Sequence, residues 1–251
     1  MTITSSPWGF RFHAFDRYAR YLKSIGITDL CLMFGAPEKF PLAVRPTKEA
    51  AEECRKHADD LGVNLIEIAT TMDYQTELPL AVGLGVKYFR VCDIWEDTEE
   101  NFQKIVKMLR DMGAQAQKPG LMVIVENHGG LMAKAAACRR LMETVGMPNV
   151  RLNYDPANFE YYGEDPVEAL DEIKPFIGFI HCKNVRYEIG KPRYCRIAEG
   201  VIDYSRIFKA LPMGDAFPVC LEYEDSADAE KGTLDDLNSM RMCLGTGGEQ
   251  A

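Results

Sequence analysis

Positive charge is scarce in this chain: 29 Lys and Arg stand against 38 Asp and Glu, a net charge of −9 over 251 residues. Nucleic-acid binding relies on Lys and Arg to neutralise phosphates, so no nucleic-acid partner is expected. No apolar run approaches the roughly 18 residues that cross a bilayer, so no membrane partner is expected either. The opening Met1-Thr2-Ile3-Thr4-Ser5-Ser6-Pro7 has neither the basic nor the apolar stretch of a secretory signal. Eight cysteines are present but no CxxC pair, and most sit inside apolar runs such as Leu30-Cys31-Leu32-Met33. They read as reduced, buried side chains, with a cytoplasmic location as the expectation. A GxGxxG turn is missing, which removes the usual signature of a doubly wound dinucleotide-binding sheet. No linker, low-complexity segment or charge block divides the sequence. Residues 1–244 are expected to form one domain, and the Gly-rich 245–251 a disordered tail.

What is present is an alternation. Short β-rich runs at 1–4, 29–34, 64–69, 87–92, 122–126, 150–155, 178–181 and 219–223 are separated by helical patterns. Phe15, Tyr18, Ala19, Leu22 and Ile25 form one stripe at helical spacing. Phe102, Ile105, Val106, Leu109 and Met112 form another, opened by acids near Asp97 and closed by Gly113. Asp165-Pro166 has the form of an N-cap with proline at the first helical position; Asp203 is placed to cap 204–211 and Thr233 to cap 234–244. Gly26, Gly62, Gly85, Gly113, Gly120 and Gly146 fall near helix ends or just before strands. Only 70–86 shows little helical pattern. Eight strand–helix units predict an α/β fold, a (β/α)8 TIM barrel, with an open doubly wound sheet as the alternative.

Four of the strand-like runs carry a polar residue at the carboxyl end: Glu126 in Met122-Val-Ile-Val-Glu126, Asp155 in Val150-Arg-Leu-Asn-Tyr-Asp155, His181 in Ile177-Gly-Phe-Ile-His181 and Glu222 in Val219-Cys-Leu-Glu222. On neighbouring parallel strands, three carboxylates and an imidazole would converge. Like charges so close repel unless a cation lies between them. Oxygen and imidazole ligands suit one divalent ion, Mn²⁺, Mg²⁺, Co²⁺ or Zn²⁺. Any one of the four alone would pass for a loop carboxylate or a satisfied core histidine.

Nearly the whole chain resembles the sugar phosphate isomerase/epimerase-like superfamily of xylose-isomerase-type TIM barrels, with specific motifs from about residue 120 onward. The resemblance is carried by Val123-Ile-Val-Glu126-Asn127-His128-Gly-Gly, by Leu152-Asn-Tyr-Asp155-Pro-Ala-Asn158, by Phe179-Ile-His181-Cys-Lys183-Asn184 and by Ala198-Glu-Gly200-Val-Ile-Asp203-Tyr. It implies that Glu126, Asp155, His181 and Glu222 hold one divalent metal, often Mn²⁺, and that Glu126 and Glu222 are the acid/base pair. The metal would polarise a carbonyl while carboxylates move the proton on the adjacent carbon. It further implies a carbohydrate substrate and a homo-oligomer. The chain departs from the family pattern at Asn158, where a histidine is frequent, at Asn184, where the pattern has Asp, and at Ala198, where it has Gly; these positions usually handle substrate.

Other candidates surround the quartet. His128 lies two residues after Glu126 and would share its side of the strand, as a general base, as a donor to a ligand, or as a loop-packing imidazole. Lys183 lies two after His181 and would point inward, or else be a solvated lysine. Arg186 and Arg196, with Lys191 and Arg193, make the loop after strand seven basic, either a rim for an anionic or planar substrate or a solvated loop. Trp8, Phe34 and Trp95, near Phe10, Phe12 and His13, would wall a sugar or aromatic ring, or simply pack. The facing of Glu67 is left open. The expected activity is metal-dependent isomerisation or epimerisation of a keto-sugar by proton abstraction alpha to a carbonyl. The alternative is a lyase or dehydratase using the same first step on an inosose or a 3-keto glycoside, there with a small second subunit. An endonuclease of this fold would need more histidine than His13, His57, His128 and His181 and a basic face. A non-catalytic binding barrel would not need the intact quartet.

Overall fold

The β-rich runs become strands that lie side by side, because each is too apolar to face water and needs neighbours for its backbone groups. A computed structural model describes residues 2–211 and 217–245. Met1 and all but the first residue of the expected tail lie outside the described residues. The strands are β1 (Thr2–Ser5), β2 (Asp29–Met33), β3 (Asn64–Ala69), β4 (Tyr88–Val91), β5 (Met122–Glu126), β6 (Val150–Tyr154), β7 (Ile177–Cys182) and β10 (Pro218–Leu221). All pair in parallel and close into a barrel in the order β1-β10-β7-β6-β5-β4-β3-β2. The helices α1 (Phe15–Ser24), α2 (Lys48–Leu61), α3 (Tyr74–Leu84), α4 (Glu99–Gln117), α5 (Ala135–Val145), α6 (Pro156–Tyr161), α7 (Pro166–Ile173), α8 (Tyr204–Ala210) and α9 (Ala229–Cys243) intervene. This is the expected (β/α)8 barrel, and the open sheet is excluded.

Inside the barrel, Cys31, Ile66, Ile124, Phe179 and Cys220 form an apolar plug, with Tyr88 and Met122 against it. Side chains two residues further along a strand face the same way. Ile124, Phe179 and Cys220 are followed at that spacing by Glu126, His181 and Glu222, so the plug is the floor of the site. All eight cysteines are free, and no helix among the described residues is long and apolar enough to cross a membrane.

Asp165 and Asp203 cap as their positions suggest: Asp165 Oδ1 accepts from Val167 N at 2.7 Å and Asp203 Oδ1 from Ser205 N at 2.9 Å. Three local expectations differ. Segment 70–86 contains α3, in which Pro79 removes one backbone donor while Leu78, Ala81 and Leu84 are buried. The buried Glu77 anchors it, accepting from Thr71 N at 3.0 Å and from the Thr70 and Thr71 hydroxyls. Gly113 lies inside α4 rather than at its end, because a Cβ there would come 2.7 Å from Met147 Sδ and 2.8 Å from Val150 Cγ2. Thr233 is buried within α9, which starts at Ala229 with Asp228 at the N-cap position; small residues let its first turn pack on Tyr223.

A further element is an antiparallel hairpin of β8 (Asn184–Glu188) and β9 (Lys191–Cys195), inserted between β7 and α8. Its return is tied to α9, where Asp236 Oδ1 accepts the Ile197 N–H at 2.7 Å. Burial pushes the Asp236 carboxyl up to about 7. A raised carboxyl keeps its proton in the folded chain while the unfolded chain loses it, so stability falls as pH climbs from about 4 to about 7 and then levels. Asp236→Asn keeps an acceptor for Ile197 and removes the charge. It is expected to be more stable than wild type by about 1–2 kcal/mol at pH 8, with the advantage shrinking by pH 5. Urea unfolding at the two pH values measures this; an advantage that grew toward acid would contradict it.

Candidate metal centre and active site

Strand ends place the quartet. Glu126 closes β5 and His181 is the penultimate residue of β7, while Asp155 and Glu222 immediately follow β6 and β10. One ligand atom from each lies within 4.8 Å of the others, and all four residues are buried. Asp155 is also the N-cap of α6: its Oδ1 accepts from Ala157 N at 2.9 Å and Asn158 N at 3.1 Å. That fixes Oδ2 toward the centre, where it accepts no hydrogen bond and lies 3.1 Å from Lys183 Nζ. Asn127 clamps the same backbone from β5, donating to Asp155 O at 2.9 Å and accepting from Asp155 N at 2.7 Å.

Glu126 is held on both oxygens. Arg90 Nη1 meets Oε2 at 2.8 Å, Asn153 Nδ2 meets it at 3.2 Å, and Asn158 Nδ2 meets Oε1 at 3.2 Å. Burial would push its carboxyl up, but His181 and Arg90 outweigh this and hold it below the usual range. Glu222 Oε1 accepts from Ser6 Oγ at 2.9 Å, and Oε2 from Lys183 Nζ at 2.9 Å. Against its burial, His181 and Lys183 hold it well below the usual range. Burial raises Asp155 to about 7, against the pull of Lys183. His181 Nδ1 is 3.1 Å from Glu222 Oε1, and neither ring nitrogen makes an aligned hydrogen bond. Despite burial, Glu222 and Glu126 raise its pKa. A buried imidazole and carboxylates with oxygens aimed at one point form a donor set that fits a divalent cation.

Two cavities meet above the centre and share Lys183, Glu222 and Glu224. One, of about 380 Å³, is lined by the apolar Trp8, Met33, Phe34 and Phe40 and by the polar Arg90, Glu126 and His128. The other, of about 360 Å³, is lined by Arg186, Arg196, Tyr194 and the acids Glu199, Asp225 and Asp228. His128 therefore stands beside Glu126 on a cavity wall, with its Nδ1 buried and unpartnered. Lys183 points inward and bridges Glu222 and Glu224, 2.9 and 2.7 Å away. Both rim arginines are already neutralised, Arg186 by Glu188 and Glu199 at 2.8 and 3.0 Å, and Arg196 by Asp228 and, at 2.9 Å, Asp235. Trp95 stands elsewhere: its side chain packs against the core and its carbonyl accepts from Leu131 N at 2.8 Å. Gly130, at φ +52°, is required there because a Cβ would collide with that carbonyl. Asn184 turns away from the site and staples the hairpin's base, donating to Ile197 O at 2.8 Å and Ile202 O at 3.1 Å.

Residues that the sequence did not single out complete the centre. Arg90, from β4, also binds the fully buried Glu67 of β3, Nε to Oε1 at 2.8 Å. Asn153 carries the two-residue spacing of β6 inward ahead of Asp155, a signal present in the sequence. Tyr194 is placed by the hairpin, whose only signal in the sequence is a short polar–apolar alternation.

Comparisons agree with this geometry. The xylose isomerase-like TIM barrel family model matches residues 73–243. An inosose dehydratase of Bacillus thuringiensis (strain Al Hakam) is 28% identical over 152 residues, 59% of this chain and 49% of that protein. The chain thus spans about half the length of the curated relatives it matches. Among solved structures, an IolI protein with a bound zinc atom superposes with a TM-score of 0.79 at 14% identity, covering 100% of both chains. A D-psicose 3-epimerase of Clostridium cellulolyticum H10, solved with D-tagatose, gives 0.74 at 15% identity, covering 97% of this chain and 99% of its own. By its closed eight-stranded barrel and by the family model matched from α3 to α9, the chain belongs to the xylose isomerase-like TIM barrel family.

Proposed function

We propose that the chain is a divalent-metal-dependent enzyme that removes a proton alpha to the carbonyl of a keto-sugar or keto-cyclitol. The observation that carries this is the convergence of Glu126, Asp155, His181 and Glu222 to within 4.8 Å at the carboxyl end of the barrel, where enzymes of this fold carry their chemistry. When bound there, a divalent ion, Mn²⁺ by preference, supplies Lewis-acid polarisation of the carbonyl.

The chain's own residues supply the rest. Glu126, kept ionised by Arg90, takes the proton. Lys183, its charge sustained by Asp155, Glu222 and Glu224 despite burial, places a positive charge where enolate charge develops. In isomerisation Glu126 returns the same proton to the neighbouring carbon; in epimerisation Glu222, coming from β10 rather than β5, delivers a proton drawn from solvent while Glu126 releases its own to solvent. Trp8, Phe34 and Phe40 line the same cavity and suit the apolar face of a ring.

The second reading is dehydration. It is favoured by His128, which lines the cavity together with Glu126 and could protonate a departing β-hydroxyl, and by the inosose dehydratase similarity. Chain loaded with Mn²⁺ and incubated in D₂O with ketoses, inososes and 3-keto glycosides decides between them by NMR. Deuterium appearing alpha to the carbonyl with a stereoisomeric product is the expected result. Loss of water or of an aglycone identifies the lyase. If none of these compounds exchanges a carbon-bound proton, the proposal fails.

A further inference from the structure

Tyr194 reaches the centre from β9 of the hairpin and touches two of its members. Its Oη donates to Asn158 Oδ1 at 2.8 Å, and Lys183 Nζ lies 4.3 Å from its ring centroid. Tyr161 stacks on the same ring, with centroids 5.2 Å apart.

The first contact is directional. An amide oxygen only accepts and an amide nitrogen only donates. A hydroxyl proton aimed at Asn158 Oδ1 therefore turns Nδ2 toward Glu126, where it meets Oε1 at 3.2 Å. Rotated by half a turn, the same amide would set its oxygen against a carboxylate oxygen. Asn158 is only 1% exposed, so solvent is poorly placed to repair that arrangement.

The second contact acts on the other side of the site. An ammonium over an aromatic face is attracted to it, and from that position Lys183 reaches Glu222 Oε2 at 2.9 Å and Glu224 Oε1 at 2.7 Å. The hairpin that delivers the ring has a fixed base. The Asn184 amide oxygen accepts from Val185 N at 2.8 Å and Ile202 N at 3.0 Å while its nitrogen donates to two carbonyls.

We infer that Tyr194 is a positioning residue that fixes the Asn158 amide against Glu126 and the Lys183 ammonium against Glu222, so that one hairpin side chain sets both candidate proton-transfer carboxylates. The hydrogen-bond relay stands on geometry alone; its effect on metal binding rests on the reading of the quartet given above.

Tyr194→Phe removes the hydroxyl and keeps the ring, and Tyr194→Leu removes both. The full chain, labelled with ¹⁵N-asparagine, reports the Asn158 side-chain amide by NMR, assigned by its loss in Asn158→Ala. Tyr194→Phe is expected to shift that amide pair and to speed its hydrogen exchange at least tenfold. Calorimetric titration with Mn²⁺ is expected to show binding weakened roughly tenfold, as for loss of other groups that orient a ligand. Tyr194→Leu weakens it further through Lys183. In an Asn158→Ala background, Tyr194→Phe changes Mn²⁺ affinity less than twofold, an epistasis that general destabilisation does not produce. An unchanged Asn158 amide in Tyr194→Phe, or an equal loss of affinity with and without Asn158, overturns the inference. A chain that takes no Mn²⁺ while its Asn158 amide still responds to Tyr194→Phe upholds the relay and removes the metal reading instead.

Discussion

On the proposed function, replacing Glu126 by Gln is expected to lower the rate of carbon-bound proton exchange by at least roughly 10³-fold and to weaken Mn²⁺ binding by more than about tenfold. Two functions are lost together. A glutamine takes up no proton at working pH, and it offers the quartet one uncharged oxygen in place of a carboxylate. The surroundings make matters worse. Oε1 faces Asn158 Nδ2, and Oε2 faces Arg90 Nη1 and Asn153 Nδ2. Every neighbour is a donor, so whichever way the new amide turns its NH₂ opposes an N–H: Asn158 Nδ2 loses its acceptor in one orientation, Arg90 Nη1 and Asn153 Nδ2 in the other, at about 1–3 kcal/mol for each donor. Glu222→Gln is expected to be gentler on the fold, because the Ser6 hydroxyl on Oε1 can rotate to accept. The comparison therefore separates the two carboxylates: both variants lose exchange, while Glu126→Gln alone also loses several degrees of thermal midpoint. Metal affinity and exchange within twofold of wild type in Glu126→Gln would falsify its role at the centre.

What was legible in the sequence follows a simple physical division. Glu126, Asp155, His181 and Glu222 could be read because each is polar at the end of a run that is otherwise apolar, and neighbouring parallel strands bring such ends together at one place. The barrel was legible for a related reason, since buried parallel strands are nearly continuous apolar runs. Arg90 was hidden by that same property. Within Phe89-Arg90-Val91-Cys92 it passes for an interruption, and only its partners Glu67 and Glu126 show that it faces inward. Glu67 could not be oriented because the pairing of β2 with β3 shifts between Leu30 and Cys31, and a shift of one residue turns a side chain to the other face. The hairpin does alternate, with Val185, Tyr187, Pro192 and Tyr194 between Arg186, Glu188, Lys191 and Arg193, but it lacks the continuous apolar run of a barrel strand and reads as a basic loop, so Tyr194 is not singled out. Helix α3 was obscured by Pro79 and by a run that is apolar all round.

Arg90→Met is expected to be the most destabilising single change at the site, by about 3–5 kcal/mol. Arg90 is 7% exposed and its guanidinium lies 2.8 Å from both Glu67 and Glu126, so its removal leaves two enclosed carboxylates with no cation between them. In a chain of this size the thermal midpoint should fall by roughly 10 °C or more. Burial already raises the Glu67 carboxyl even with Arg90 present, and without the arginine that rise is larger. The sign of the pH dependence follows. A carboxyl raised in the folded state holds its proton there while the unfolded chain releases it, so stability falls with rising pH. The deficit of Arg90→Met should therefore be greater at pH 8 than at pH 5.5. Adding Glu67→Gln removes one stranded charge and should restore part of the midpoint in Arg90→Met, though the same change alone in wild type strands nothing and restores nothing. If Arg90→Met melts within about 2 °C of wild type at pH 8, or if Glu67→Gln has the same effect in both backgrounds, the arginine is not the charge that holds the two glutamates together. Rescue confined to the Arg90→Met background would show that these charges, and not the packing of the side chain, account for the loss.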